Sequence, residues 1–542
     1  MARELFLGVD VGTGSVRAAL FDADGQRHGL GVHPIQIFRP AEDFAEHSSD
    51  DIWRAAGVAI RTALAEADSA PTTVSGIGFD ATCSLVALGA DDSPVTLSPT
   101  GDDRQNVIVW MDHRAIEQAA RINQSGHDVL RYVGGVISPE MEMPKLAWIK
   151  QHLPESFARA ARFFDLADFL SYRATGNDTR SLCTTVCKWT YLGHDGGRWA
   201  DDFLAAVGLG ELTLDDHARI GRRVRPMGDC AGKLSPRSAE ELGLVSGTAV
   251  GIGIIDAHAG GLGLLGAPLD GAAPTIEDLE RRMALIGGTS SCHMAVSKSP
   301  RFVPGVWGPY YSAMVPGMWL TEGGQSATGA LIDHVIFSHA RGKELEQEAR
   351  REGSTVYARL NRELQRLSPE GLPDLSAELH VFPDFHGNRS PRADPTLRGM
   401  ISGLRLSDSV ESLALLYLAT IQAIAYGTRH ILEALRAQGY AIDTVLASGG
   451  DSKNPLFVRE HADVTGCRVV LPEEPEAVLL GAGLLGAVAA GAHPDVLTAM
   501  GRMNRAGEVV QPRAATRAFH QKKYAVFQRL HEHQLEYRRL MA

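Results

Sequence analysis

Apolar and polar positions alternate from the start of the chain. Leu5, Phe6, Leu7, Val9 and Val11 lead into Gly12-Thr13-Gly14-Ser15, and Val16, Ala18, Leu20 and Phe21 resume the run until Asp22-Ala23-Asp24-Gly25. A two-residue period interrupted by glycine-rich turns predicts two strands joined by a tight turn. Ser48-Ser49-Asp50 then offers an N-cap for a helix whose apolar positions, Ile52, Ala56, Ile60 and Leu64, recur at helical spacing. Residues 74–79 read as another strand. Strands and helices in this order predict an α/β domain with a covered sheet.

A second block of the same kind begins near Gly247. Residues 250–255 form an apolar run ending in Asp256, and residues 284–286 form another, ending in Gly287-Gly288-Thr289-Ser290-Ser291. Two glycine- and hydroxyl-rich turns, each after a strand and far apart in sequence, predict two related halves. The boundary falls within 247–253, giving an N-terminal domain over 1–250 and a C-terminal domain over 251–542. Residues 340–375 are charged and irregular, as in a helical insertion with a loop. A long helix is predicted over 410–435, a strand over 444–447 before Ser448-Gly449-Gly450, and a final helix over 519–540.

Composition narrows the class. With 542 residues, 44% hydrophobic and 22% charged, the chain has the profile of a globular protein of two large domains. A formal net charge of -12 argues against a nucleic-acid or anionic-membrane surface, which needs clustered Lys and Arg. A nucleotide stays possible, because backbone amides and a metal ion can hold one phosphate tail locally. The opening MARELFLGVDVGTG reads as structure rather than as a signal peptide, and the apolar stretch 478–491 is too short and too glycine-broken to span a bilayer. Six scattered cysteines without a CxxC pair, and twenty histidines without metal-ligand spacing, read as free thiols and structural groups of a cytoplasmic protein.

Three turns carry candidate chemistry. In Asp10-Val11-Gly12-Thr13-Gly14-Ser15 the glycines let backbone approach a phosphate, Thr13 and Ser15 add hydroxyls, and Asp10 can orient Mg2+ through water. A plain β-hairpin suits the same residues. Gly288, Thr289 and Ser290 repeat those ingredients and that alternative. The third turn, Gly449-Gly450 with Asn454 beyond it, offers bare backbone to an adenine ring, or simply connects a strand to a helix. Asp256, at a strand end beside glycines, can act as a base toward an alcohol or as a turn or helix-cap residue.

The segments DVGTGSVRAALFD, WMDHRA, SLCTTVCKWTYL, GIIDAHAGGLG, GGTSSCHM, TEGGQSATG, DFHGNRSPRADPTLRGMISGL and SGGDSKNPLF together resemble the FGGY carbohydrate kinases. The likeness is strongest to their D-ribulokinase branch, then to L-ribulokinases, and it runs from Leu5 to the C-terminal helix. It implies a sugar kinase, Hsp70 and actin type fold, with two ribonuclease-H-like domains flanking a cleft, and a kinase that uses ATP and Mg2+ and is compatible with a homodimer. By that resemblance Asp256 is the general base; Asp10, Gly12, Thr13, Gly14 and Ser15 form the first phosphate turn; Gly288, Thr289 and Ser290 form the second; and Gly449, Gly450 and Asn454 form the adenosine site. Ala81, Thr82, Lys188, Asp256 and Glu322 fall on the sugar contacts. Lys188 and Glu322 also suit a salt bridge or exposed positions. Trp110 and Asp112-His113-Arg114 suit either sugar contact or a cleft wall with Asp112 and Arg114 paired, while Lys145 reads as a structural helix residue.

Glycerol-kinase-like members carry Arg-Glu where this chain has Ala81-Thr82, and xylulokinases carry Met-His, so glycerol and D-xylulose become poor substrates. The expected reaction is D-ribulose to D-ribulose 5-phosphate. L-ribulose, ribitol or another pentose is the runner-up, and a non-catalytic sugar or nucleotide sensor on the same fold is the rival from a different class.

Overall fold

The computed structural model describes residues 4–269, 271–371 and 373–542. Two mixed seven-stranded sheets organise it. In the first, Leu5–Val11 pairs antiparallel with Ser15–Phe21, and that strand pairs antiparallel with Arg27–Pro34. On its other side Leu5–Val11 runs parallel to Val74–Ala81. The second sheet repeats the plan: Arg282–Gly287 pairs antiparallel with Ser291–Ser297, which pairs antiparallel with Trp319–Gln325, while Arg282–Gly287 runs parallel to Thr444–Gly449. Each glycine-rich turn therefore joins the first two strands of its sheet, as in two ribonuclease-H-like halves.

Local chemistry explains the flanking elements. Ser48 caps the helix Ser49–Glu66 by accepting the Asp51 amide at 3.3 Å, satisfying one of the amides that a helix start leaves unpaired. Ile52, Ala56, Ile60 and Leu64 of that helix are buried with Val9, Val16 and Ile77 of the first sheet. The charged stretch 340–375 contains the helices Gly342–Arg351 and Val356–Leu367. Val410–Ala437 is, among the described residues, the one helix long and apolar enough to cross a membrane, yet 72% of its most apolar window is buried inside the protein. Its Leu413, Tyr417, Ile421 and Ile424 lie in the second sheet's core.

The domain division at 250/251 does not coincide with the sheets. Ala249–Gly251 and Ile254–Ile255 both run parallel to Val74–Ala81, so the first sheet reaches Ile255. A short apolar run carries no mark of which sheet it will join, and the sequence could not place it. Two helices, Asp256–Leu265 and Ala477–Ala490, then lie between the sheets. A Cβ at Gly78 would stand 1.9 Å from the Ala482 carbonyl oxygen, so only glycine lets the second helix lie this close on the first sheet. One buried apolar cluster runs from Phe6 and Phe21 through Leu262 and Leu480 to Ala284 and Leu446. The two halves thus share a core.

Candidate active site

A cleft of about 390 Å³ receives the ends of both sheets and both helices. At one wall, Asp10 is held by Arg17, whose Nε donates to Oδ2 at 2.8 Å, and Arg17 reaches on to Glu476 at 2.6 Å. The turn that follows is closed by the Gly12 amide donating to the Ser15 carbonyl at 3.1 Å. Thr13 Oγ1 accepts the Trp110 indole N–H at 3.0 Å. The second turn is braced similarly. The Gly288 amide donates to the Ser290 carbonyl at 2.9 Å, and Thr328 donates from its hydroxyl to Gly288 and from its amide to Thr289, both at 3.0 Å. Gly449 has φ +97, and a Cβ there would meet the Gly287 carbonyl oxygen at 2.1 Å, so the parallel strand ends close only with glycine.

Of the residues expected at the first turn, Asp10, Gly12 and Thr13 line the cleft, as do Gly288, Thr289 and Ser290 of the second and Gly449 and Gly450 of the third. Thr82, Lys188, Asp256 and Glu322 share that cleft with them. Four expected residues do not line it. Gly14 and Ser15 complete the first turn, Gly14 accepting the Ile35 amide. Ala81 is buried at the end of its strand, paired with Val11 and Ile255. Asn454 caps the helix Pro455–Thr465, accepting the Leu456 amide at 3.1 Å and donating to Tyr417 at 2.6 Å. Trp110 lines the cleft, while Arg114 is buried against Asp112 and Glu46 at 2.7 and 2.6 Å and serves as wall scaffold. Lys145 is buried in the helix Glu142–His152, 3.6 Å from Glu142.

Electrostatics set the protonation states. Burial, and then the charge of Asp10, push Asp256 up to about 6, so it is mostly ionised at neutral pH and basic enough to take a proton. The same two causes hold Asp80, paired in register with Asp10, well above the carboxylate range. Both Asp80 oxygens are buried without a hydrogen-bond partner. Burial also opposes ionisation of Glu322, but the hydrogen bond from His258 and the charge of Lys188 bring it down to about 2. Burial works against the charge of Lys188, which Cys83 and Glu322 restore. The Lys188 ammonium lies 4.7 Å from the Trp307 ring centroid, a cation–π contact.

Several cleft residues escaped the sequence reading. Arg17, Glu140, Trp307, Arg389 and Glu476 all line it, and Arg389 stands 3.9 Å from Glu140. Arg17 and Arg389 lie inside segments that carried the resemblance, the one available signal. Glu140 and Glu476 are loop charges among other acidic residues, indistinguishable in sequence from solvated ones. Donor atoms of Cys183, Cys187 and His258 gather within 4.8 Å of one another, because the start of Asp256–Leu265 brings His258 against Cys183 of Leu182–Lys188.

Comparisons with known proteins agree with this geometry. Residues 5–263 match the N-terminal domain and residues 283–490 the C-terminal domain of the FGGY family of carbohydrate kinases. The chain is 50% identical over 543 residues to an "FGGY carbohydrate kinase domain-containing protein" of Homo sapiens, covering 99% of this chain and 98% of that one. It is 40% identical over 515 residues to a D-ribulokinase of Saccharomyces cerevisiae, covering 90% and 72%. Among solved structures, a xylulose kinase from Rhodospirillum rubrum superposes with a TM-score of 0.79 at 21% identity, covering 98% and 99%; at that identity the likeness concerns the fold alone. With its two matching sheets, its shared cleft and both family domains in order, the chain belongs to the FGGY family of carbohydrate kinases.

Proposed function

We propose that the protein transfers the γ-phosphoryl group of ATP to a hydroxyl of a free pentulose, D-ribulose in the first instance, with Asp256 as general base. The observation that carries this reading is the cleft itself. Asp256, ionised near neutral pH, shares it with the hydroxyl- and amide-rich turns and with Thr82, Lys188 and Glu322. The turns suit phosphate oxygens, and the buried polar set suits a polyol whose hydroxyls need partners once desolvated. The 40% identity to a D-ribulokinase supports D-ribulose over other sugars. Relatives named ribulokinase at 29% and 32% identity also support a ribulose, and L-ribulose is the second substrate to test.

In the reaction the sugar hydroxyl gives its proton to the Asp256 carboxylate as its oxygen bonds to the γ-phosphorus. The bond from that phosphorus to the bridging oxygen breaks, and ADP leaves with the electron pair. Lys188 and Glu322 hold the sugar, and the turns at Gly12-Thr13 and Gly288–Ser290 hold the phosphates. The Asp10 carboxyl, which lines the cleft, fits a hydrated Mg2+ held through water. Bound there, Mg2+ would neutralise phosphate charge. Gly449 and Gly450 are assigned to adenosine.

The test replaces Asp256 by Asn. Phosphorylation should fall about 10²- to 10⁴-fold while ATP still binds with near-normal affinity. Near-normal turnover in Asp256→Asn would remove Asp256 from the mechanism.

A further inference from the structure

His258 lies on the same helix as Asp256, near its first turn, and is 1% exposed. Both ring nitrogens are engaged. Nε2 is 3.2 Å from Glu322 Oε2 and Nδ1 is 3.1 Å from Cys183 Sγ. The partners come from different parts of the fold. Glu322 sits on Trp319–Gln325 of the second sheet, and Cys183 on the helix Leu182–Lys188, whose last residue is Lys188. One imidazole therefore connects the helix of the base, the strand of the pocket carboxylate and the helix of the pocket ammonium. The nearby Cys187 completes a donor set with metal-like spacing, but a ring already bonded at both nitrogens has the pattern of a hydrogen-bonded relay.

We propose that His258 is a positioning residue of the sugar pocket: anchored by Cys183 at Nδ1, it fixes the Glu322 carboxylate from Nε2, so that sugar affinity depends on a three-element relay. This rests on the reading of Glu322 as a sugar contact. A carboxylate on a strand has rotamer freedom, and a charged donor holding one oxygen leaves the other for a substrate hydroxyl in a single geometry. The charges agree with the geometry. Burial opposes a charged imidazole, yet Cys183 and then Glu322 raise His258 to about 10. Burial likewise opposes a thiolate, but Cys187 and His258 bring Cys183 down to about 5. The charge that Cys183 and Glu322 favour on the ring lets it donate at both nitrogens. Asp256, Lys188 and Arg389 also face this cluster, and Asp165 and Asp168 face it on the Cys183 side.

The test compares His258→Asn, which retains a donor near the Nδ1 position only, with His258→Gln, which extends an amide toward Glu322. His258→Asn should raise the sugar KM about 10- to 100-fold, the range for a lost hydrogen bond to a charged group, with ATP KM and kcat at saturating sugar nearly unchanged. His258→Gln should recover most of that loss. Equal rises in sugar and ATP KM, or an unmoved sugar KM in His258→Asn, would overturn the proposal. NMR of 15N-histidine-labelled protein gives a second readout that needs no substrate. A protected, downfield Nε2–H signal should be present in the wild type, absent in His258→Asn and shifted in Glu322→Gln. Its absence from the wild type would overturn the relay even if sugar turnover is normal. Its presence without turnover of any pentulose would instead overturn the proposed function and leave the relay standing.

Discussion

At the scale of single residues, burial and neighbouring charges set the protonation of Asp256, Glu322 and Lys188. With Asp256 raised to about 6, its base form dominates at neutral pH and is lost as pH falls through that value. kcat/KM for the sugar should therefore drop about tenfold per pH unit below the Asp256 pKa and level off above it. A pH–rate profile checks this, and a plateau extending down to the ordinary carboxylate range would contradict it. Lys188→Met should raise the sugar KM by at least about tenfold with little change in ATP KM, measured by initial rates. Asp10, Thr13 and Asp256 were legible because glycine-rich turns and strand ends mark them, and Thr82 only through the family resemblance. His258, Glu140 and Glu476 were not, since a lone polar residue shows its partners only after distant elements meet.

At the scale of elements, the strands near 5–21, 74–79, 284–286 and 444–447 and the long helices were legible from their two- and 3.6-residue periods, whereas Arg27–Pro34, Ser291–Ser297 and Trp319–Gln325 were not read. The pairing of the strands was not legible, as the strands at 249–255 show by joining the first sheet. Nor did the sequence reveal that Ala477–Ala490 lies on that sheet, though its run of glycines and alanines hinted at close packing. Gly78→Ala forces a methyl into the Ala482 carbonyl and should cost about 1–3 kcal/mol; a lowered melting temperature checks this, and an unchanged one would contradict the packing. Asn454, assigned by resemblance to adenosine, is occupied as a helix cap. Asn454→Ala should therefore destabilise the protein by about 1 kcal/mol. A raised ATP KM with unchanged melting temperature would instead favour direct contact with the nucleotide.

At the scale of the whole molecule, the repeated sheet places two similar turns on one cleft, and a single apolar cluster joins the halves. Sequence showed the repetition, because both turns follow strands and share glycine and hydroxyl content. It could not show the cleft, which exists only once both sheets are assembled around the two intervening helices. On the proposed function, sugar binding completes the site that the two halves share, so ATP loss without sugar should be slow beside sugar-dependent turnover. The most direct measurement is ADP release from Mg-ATP with D-ribulose, L-ribulose, D-xylulose, ribitol and glycerol, compared by kcat/KM. The expected result is strong stimulation by sugar, greatest with D-ribulose. No stimulation by any of them, with ATP still bound, would contradict the account.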